Sequence, residues 1–72
     1  MKNNLIGIDL GGTKIEIVIL DVNKEIQFRE RLPTESEKGP SHIINQILTL
    51  YKKAVSFINR GPHTIGVGSP GS

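Results

Sequence analysis

Cysteine and tryptophan are both absent from this chain. Without cysteine, neither a disulfide staple nor a thiolate metal site is available to it. Aromatic residues make up only 4% of the total, although a hydrophobic fraction of 36% is enough for a core. No apolar run approaches the ~20 residues of a membrane span, and the N-terminus has no apolar stretch long enough for a signal peptide. The expectation is a cytoplasmic protein with no membrane partner. Excess charge of one sign is scarce too: nine basic residues face seven acidic ones, the net charge is +2, and the basic residues are scattered. A pI near 9.2 therefore does not mark a nucleic-acid partner, because the basic stripe interleaved with aromatics that such binding uses is missing. Internal repeats and low-complexity segments are missing as well.

What is present is short but well organised. A chain of 72 residues is one small domain at most, and chains of this size bury only about 60% of their unfolded surface. Ser69, Pro70, Gly71 and Ser72 follow directly on an apolar run. The expectation is that residues 1–72 are the N-terminal part of a longer protein.

Residues 5–10 form a short apolar run containing Gly7 and bounded by Asn3-Asn4 and Gly11-Gly12, the pattern of a buried strand. Residues 14–21 alternate, with Ile15, Ile17 and Ile19 on one face and Glu16, Val18 and Leu20 on the other. Their β-branched content favours a second strand over a helix. A turn over residues 21–24, with Asn23 suited to a left-handed conformation, leads to a third strand over 25–32. Short links between these three predict an antiparallel meander. Residues 33–39 read as a loop. From Pro40, the residues Ile44, Ile47, Leu48, Tyr51, Val55 and Ile58 recur at helical spacing, and Gly61-Pro62 supplies a stop. The apolar stripe of this helix must pack on the meander. A last strand covers 64–68, giving the order β-β-β-α-β.

The chemistry concentrates at the first turn. Asp9 stands at the C-terminal tip of a strand, where α/β sheets hold ligands. A carboxylate there suits Mg²⁺, which takes one or two carboxylates together with phosphate oxygens. Gly11 and Gly12 remove side chains so that phosphate oxygens can reach backbone N–H donors. Thr13 adds a hydroxyl and Lys14 a positive charge. The turn alone fits a plain Gly-Gly hairpin equally well, with Asp9 as an exposed cap.

Two other phosphate motifs fail. The spacing from Gly7 to Gly12 is that of a P-loop, but Thr13-Lys14 reverses the required order, and a strand follows where a helix should open. Gly66-Val67-Gly68-Ser69-Pro70-Gly71 matches the dinucleotide pattern G-x-G-x-x-G, yet Pro70 removes a backbone donor where the pyrophosphate would dock. His42 and His63 are isolated from carboxylate clusters and are not expected to bind metal. Glu16, Arg29 and Arg31 read as solvated strand residues.

The run Ile6 to Lys14, extended by Ile15 and Glu16, resembles the first phosphate segment of the ROK family of bacterial sugar kinases and repressors. Arg29, Arg31, Leu32, Pro33 and Thr34 are similar to that family's third strand and following loop. Ile65 to Ser72 resembles its Gly-x-Pro-Gly segment. The resemblance thus spans nearly all of the chain, and the Arg31-to-Thr34 and Pro70-to-Ser72 combinations look most like the branch of fructokinases, mannokinases and N-acetylglucosamine kinases. It implies an α/β fold: the N-terminal part of a ribonuclease-H-like (actin-like ATPase) half-domain.

By the same resemblance, Gly7, Ile8, Asp9, Leu10, Gly11, Gly12, Thr13 and Lys14 are the ATP-phosphate segment, with Asp9 near Mg²⁺. Gly68, Ser69, Pro70 and Gly71 border the sugar pocket; read without the family, residues 69–72 are an ordinary type II turn. ATP and Mg²⁺ are the implied cofactors, a hexose the substrate, and a homodimer the assembly. The catalytic aspartate, the adenosine-binding glycines and a histidine/cysteine site for structural Zn²⁺ are expected downstream, so this segment alone is expected to be inactive. The expected activity of the whole protein is phosphorylation of fructose, mannose, glucose or an N-acetylhexosamine. The alternatives are a sugar-responsive repressor of the same family or a non-sugar actin-like ATPase. A repressor would carry a helix-turn-helix domain before the first strand, where only four residues stand ahead of Leu5.

Overall fold

The computed structural model describes residues 4–68. Strands β1 (Asn4–Leu10), β2 (Lys14–Leu20) and β3 (Ile26–Pro33) are followed by a 3₁₀ turn (Ser36–Lys38), helix α1 (Pro40–Phe57) and strand β4 (His63–Gly68). They form one sheet in the order β3-β2-β1-β4. β1 and β3 both run antiparallel to β2, as the meander requires, and β4 returns parallel to β1.

Alternation along β2 decides which face is inside. Ile15, Ile17 and Ile19 are fully buried, and the register sets them opposite Leu10, Ile8 and Ile6 of β1. Leu50 and Ala54 of α1 close over this isoleucine layer, also fully buried. The small Ala54 side chain lets the helix backbone approach the sheet. Leu10, Phe28, Leu32, Ile43, Ile47, Tyr51, Val55 and Ile58 pack around the rim of this core. Ile17 lies at the middle of β2, an interior strand of the sheet, and is fully buried. Ile17→Ala is expected to lower unfolding stability by about 2–5 kcal/mol, read as a shift of the urea midpoint at unchanged slope.

Of the stripe expected from spacing, Ile47, Tyr51, Val55 and Ile58 pack against the core, but its centre is displaced from the Ile44 and Leu48 edge. Ile44 and Leu48 are 55% and 45% exposed, while Leu50 and Ala54 take the core. Apolar residues at three- and four-residue spacing are abundant enough on this helix to trace two overlapping stripes. The sheet selects the one that contains the alanine. α1 lies chiefly over β2 and β3, so Ile65 and Val67 of β4 remain 49% and 64% exposed.

Two local differences have clear causes. The β2–β3 turn places Lys24, not Asn23, in the left-handed region, at φ 63°. The Asp21 carboxylate accepts from the Asn23 N–H at 2.8 Å and the Glu25 N–H at 3.0 Å, while the Lys24 N–H closes the turn on the Asp21 carbonyl at 2.9 Å. This is a three-residue hairpin loop, in which the left-handed step falls after the closed turn. The loop over 33–39 contains the 3₁₀ turn, entered through Glu35 at φ 52° and left through Gly39 at φ 93°. Pro40 then occupies the first turn of α1 as expected.

Candidate functional site

Sheet register builds the site. On the face away from α1, the pairings Gly68–Asp9, Asp9–Glu16 and Glu16–Arg31 place four residues in one row across all four strands. Gly66, Gly7, Val18 and Arg29 form the adjacent row. Because β1 and β4 are parallel, their C-terminal ends meet at one edge. There the Asp9 turn and the start of the Gly68 segment lie side by side. Ser69, Pro70 and Gly71, assigned with Gly68 to the sugar pocket, lie outside the described residues.

The turn itself is tightly braced. The Gly11 N–H donates to the Lys14 carbonyl at 2.9 Å, the Thr34 N–H to the Thr13 carbonyl at 2.8 Å, and the Thr34 hydroxyl to the Gly11 carbonyl at 2.9 Å. The Gly11 N–H is thus committed within the protein and is not one of the donors open to a ligand. Gly12 and Thr13, by contrast, donate no backbone hydrogen bond among the described residues. Asp9, Gly12, Thr13 and Lys14 are exposed, and among the described residues no ion pair engages Asp9 or Lys14. Ile8 is buried in the core and Leu10 packs against it, so these two offer only backbone to this corner.

The two glycines of the turn differ. A Cβ on Gly11 would stand 2.8 Å from the Lys14 carbonyl oxygen, whereas a Cβ on Gly12 would meet nothing within 4 Å. Neither has a positive φ, which among the described glycines belongs to Gly39 alone. Gly11 is therefore required by the turn. Gly12 is required by neither space nor conformation within the protein.

Two recesses open on this face. Asp9, Gly11, Thr13, Lys14, Glu16 and Arg31 line a cleft of about 200 Å³. A larger groove of about 550 Å³ runs past Gly7, Asp9, Val18, Arg29, Gly66 and Gly68. Asp9 and Glu16 border both. Among the described residues, no group of three or more His, Cys, Asp or Glu side chains could hold a metal.

Glu16 is not simply solvated. Its Oε2 lies 3.3 Å from Arg29 Nε and 3.8 Å from Arg31 Nε, with both arginine side chains more than half exposed. His42 Nε2 is paired with Glu35 Oε1 at 2.8 Å. His42 and then Lys38 hold the Glu35 carboxyl below its ordinary range. His63 bonds the Tyr51 hydroxyl at 3.1 Å and the Gly61 carbonyl at 2.9 Å.

Sequence reasoning assigned Thr34 no task at the site. It is the buried polar side chain among the described residues, and its bonds to Gly11 and Thr13 join segments far apart in sequence, which no local pattern reveals. Thr34→Val keeps the shape and removes the hydroxyl donor. It is expected to cost about 1 kcal/mol, measured by chemical denaturation of the full-length protein.

Similarity to known proteins bears on this geometry. The sequence model of the ROK family matches residues 5–72. The N-acetyl-D-glucosamine kinase of Pasteurella multocida (strain Pm70) is 34% identical over 65 residues, which are 90% of this chain and 21% of that protein. The N-acetyl-D-glucosamine kinase of Yersinia enterocolitica serotype O:8 / biotype 1B (strain NCTC 13174 / 8081) gives the same identity and coverage. The chain spans about a fifth of the length of these curated relatives. In three dimensions it is similar to the Aquifex aeolicus member of the Ppx/GppA family, with a TM-score of 0.65 at 16% identity, over 96% of this chain and 26% of that one. At that identity the likeness concerns the fold alone. It agrees with the expected ribonuclease-H-like (actin-like ATPase) α/β class. No helix among the described residues is long and apolar enough to cross a membrane.

Proposed function

This chain belongs to the ROK family, and on that premise we propose that it is the opening segment of an ATP-dependent hexose kinase. The observation that carries this reading is the cleft at the first turn. An exposed carboxylate, an ammonium and a hydroxyl line it, and the neighbouring N–H groups of Gly12 and Thr13 donate no backbone hydrogen bond among the described residues. That donor set fits a metal-bound polyphosphate: Gly12 and Thr13 offer N–H groups to phosphate oxygens, Thr13 its hydroxyl, and Lys14 a charge. The open space over Gly12 supports the same reading, since a glycine that the fold itself does not require leaves room for another molecule's close approach.

Asp9 would hold Mg²⁺, directly or through water. The metal's contribution is to neutralise charge on the phosphate oxygens. The segment's own residues bind and orient the phosphates, so their task is positioning and charge stabilisation rather than proton transfer. Asp9 is assigned to the phosphate side, so the group that deprotonates the sugar hydroxyl is assigned to the downstream part of the protein. Gly68 adjoins Asp9 across the parallel pair, which supports placing the sugar at the mouth of the larger groove.

Both curated relatives are N-acetyl-D-glucosamine kinases, so that sugar heads the candidates, ahead of fructose, mannose and glucose. The test is ADP release by the full-length protein with MgATP and each sugar in turn. Sugar-dependent ADP release with one or more of them is expected. Its absence with every hexose and N-acetylhexosamine would overturn the kinase reading.

A further inference from the structure

We propose that Arg31 is a polyphosphate-positioning residue, tethered beside the first turn by Glu16. The proposal rests on the reading of the cleft as a nucleotide-phosphate site and adds a second cation to it. Charge favours that cation. The lining of the cleft carries two carboxylates, Asp9 and Glu16, and two cations, Lys14 and Arg31. With Asp9 assigned to Mg²⁺ and Glu16 already paired with Arg29 at 3.3 Å, Arg31 adds a positive charge that can meet phosphate, and its planar fork matches two phosphate oxygens at once.

Geometry separates Arg31 from its neighbour. Arg29 takes Glu16 Oε2 at 3.3 Å, while Arg31 reaches the same oxygen only at 3.8 Å, beyond a direct hydrogen bond. Arg29 borders the larger groove and Arg31 the cleft with Thr13 and Lys14. Arg31 can therefore leave Glu16 without stranding it, because Arg29 remains. The departure costs little, since an ion pair this exposed is worth about 0–1 kcal/mol. A charge-assisted bidentate bond to phosphate is stronger than the contact given up. Lys14 lies two residues before Glu16 on the same strand face, so both cations approach the turn from one side.

The experiment measures affinity of the full-length protein for ATP, ADP and AMP, comparing wild type with Arg31→Gln, Arg31→Lys and Arg29→Gln. Thermal melts verify folding. Arg31→Gln is expected to weaken ATP binding on the order of tenfold while leaving AMP within about twofold of wild type. Arg31→Lys should recover part of the loss, and Arg29→Gln, which leaves Arg31 as the remaining partner of Glu16, should weaken ATP binding less than Arg31→Gln does. Equal losses for ATP and AMP, equal losses in the two glutamine variants, or no loss in Arg31→Gln would each overturn the proposal while the phosphate reading stands. A wild-type protein that bound none of the three nucleotides would overturn both.

Discussion

Asp9→Ala in the full-length protein is expected to lower kcat/KM for sugar-dependent ADP formation by at least about a hundredfold, with no loss of thermal stability. The second half of this expectation gives the first its meaning. Asp9 is exposed and engages none of the ion pairs among the described residues. It also stands directly opposite Glu16 in the antiparallel register, and like charges so placed are destabilising. Removing Asp9 therefore relieves repulsion in the folded protein, and a structural cap of the strand would behave in the opposite way. Steady-state kinetics and a melting curve on the same preparation check both halves. Turnover equal to wild type would remove Asp9 from the phosphate site. A lower melting temperature with proportionate loss of activity would make it structural.

The second large effect separates two residues that look identical in the sequence. Gly11→Ala pushes a methyl group against the Lys14 carbonyl oxygen, 2.8 Å from where the Cβ must lie, and that carbonyl is the partner that closes the turn. The backbone has to shift, and a loss of about 1–3 kcal/mol is expected. Gly12→Ala meets nothing and should melt within about 0.5 kcal/mol of wild type. If phosphate approaches the Gly12 N–H, however, that methyl group occupies its path, and ATP affinity should fall by roughly tenfold or more. Denaturation and nucleotide titration of the two variants form a crossed pair: one loses stability, the other affinity for the ligand. Normal ATP binding by Gly12→Ala would leave the turn an ordinary hairpin. Normal stability of Gly11→Ala would mean the close approach to Lys14 is not a constraint.

Most of the architecture was legible because it is written in short-range patterns. The alternation of Ile15, Ile17 and Ile19, the glycines at 11 and 12, and Pro40 at the helix start each act through neighbours in sequence. The resulting strands and helix appear where they were expected. What was not legible depends on partners distant along the chain. Spacing could not tell that Leu50 and Ala54, rather than Ile44 and Leu48, face the sheet, because only the sheet decides the rotation of α1. Thr34 brings its two bonds to the first turn from the far end of β3, and nothing around it in sequence announces them. Glu16 pairs with Arg29 and Arg31 only once β2 and β3 are in register. At the candidate site itself, the sequence supplied the residue types at the turn. It could not show that the Gly11 N–H is already used, or that the duties of the two glycines differ.

The parallel pairing of β4 with β1 has a consequence for the order in which the site is made. β1, β2 and β3 are joined by tight turns, so the hairpin that carries Asp9 and the glycines can form early, through contacts between near neighbours. Gly68 reaches Asp9 only after the intervening chain, including all of α1, has crossed back over the sheet. Closing that long loop carries an entropy cost that local hairpins avoid. The Asp9 turn is thus expected to form before Gly68 completes the sheet beside it, an order that pulsed hydrogen-exchange labelling during refolding would check.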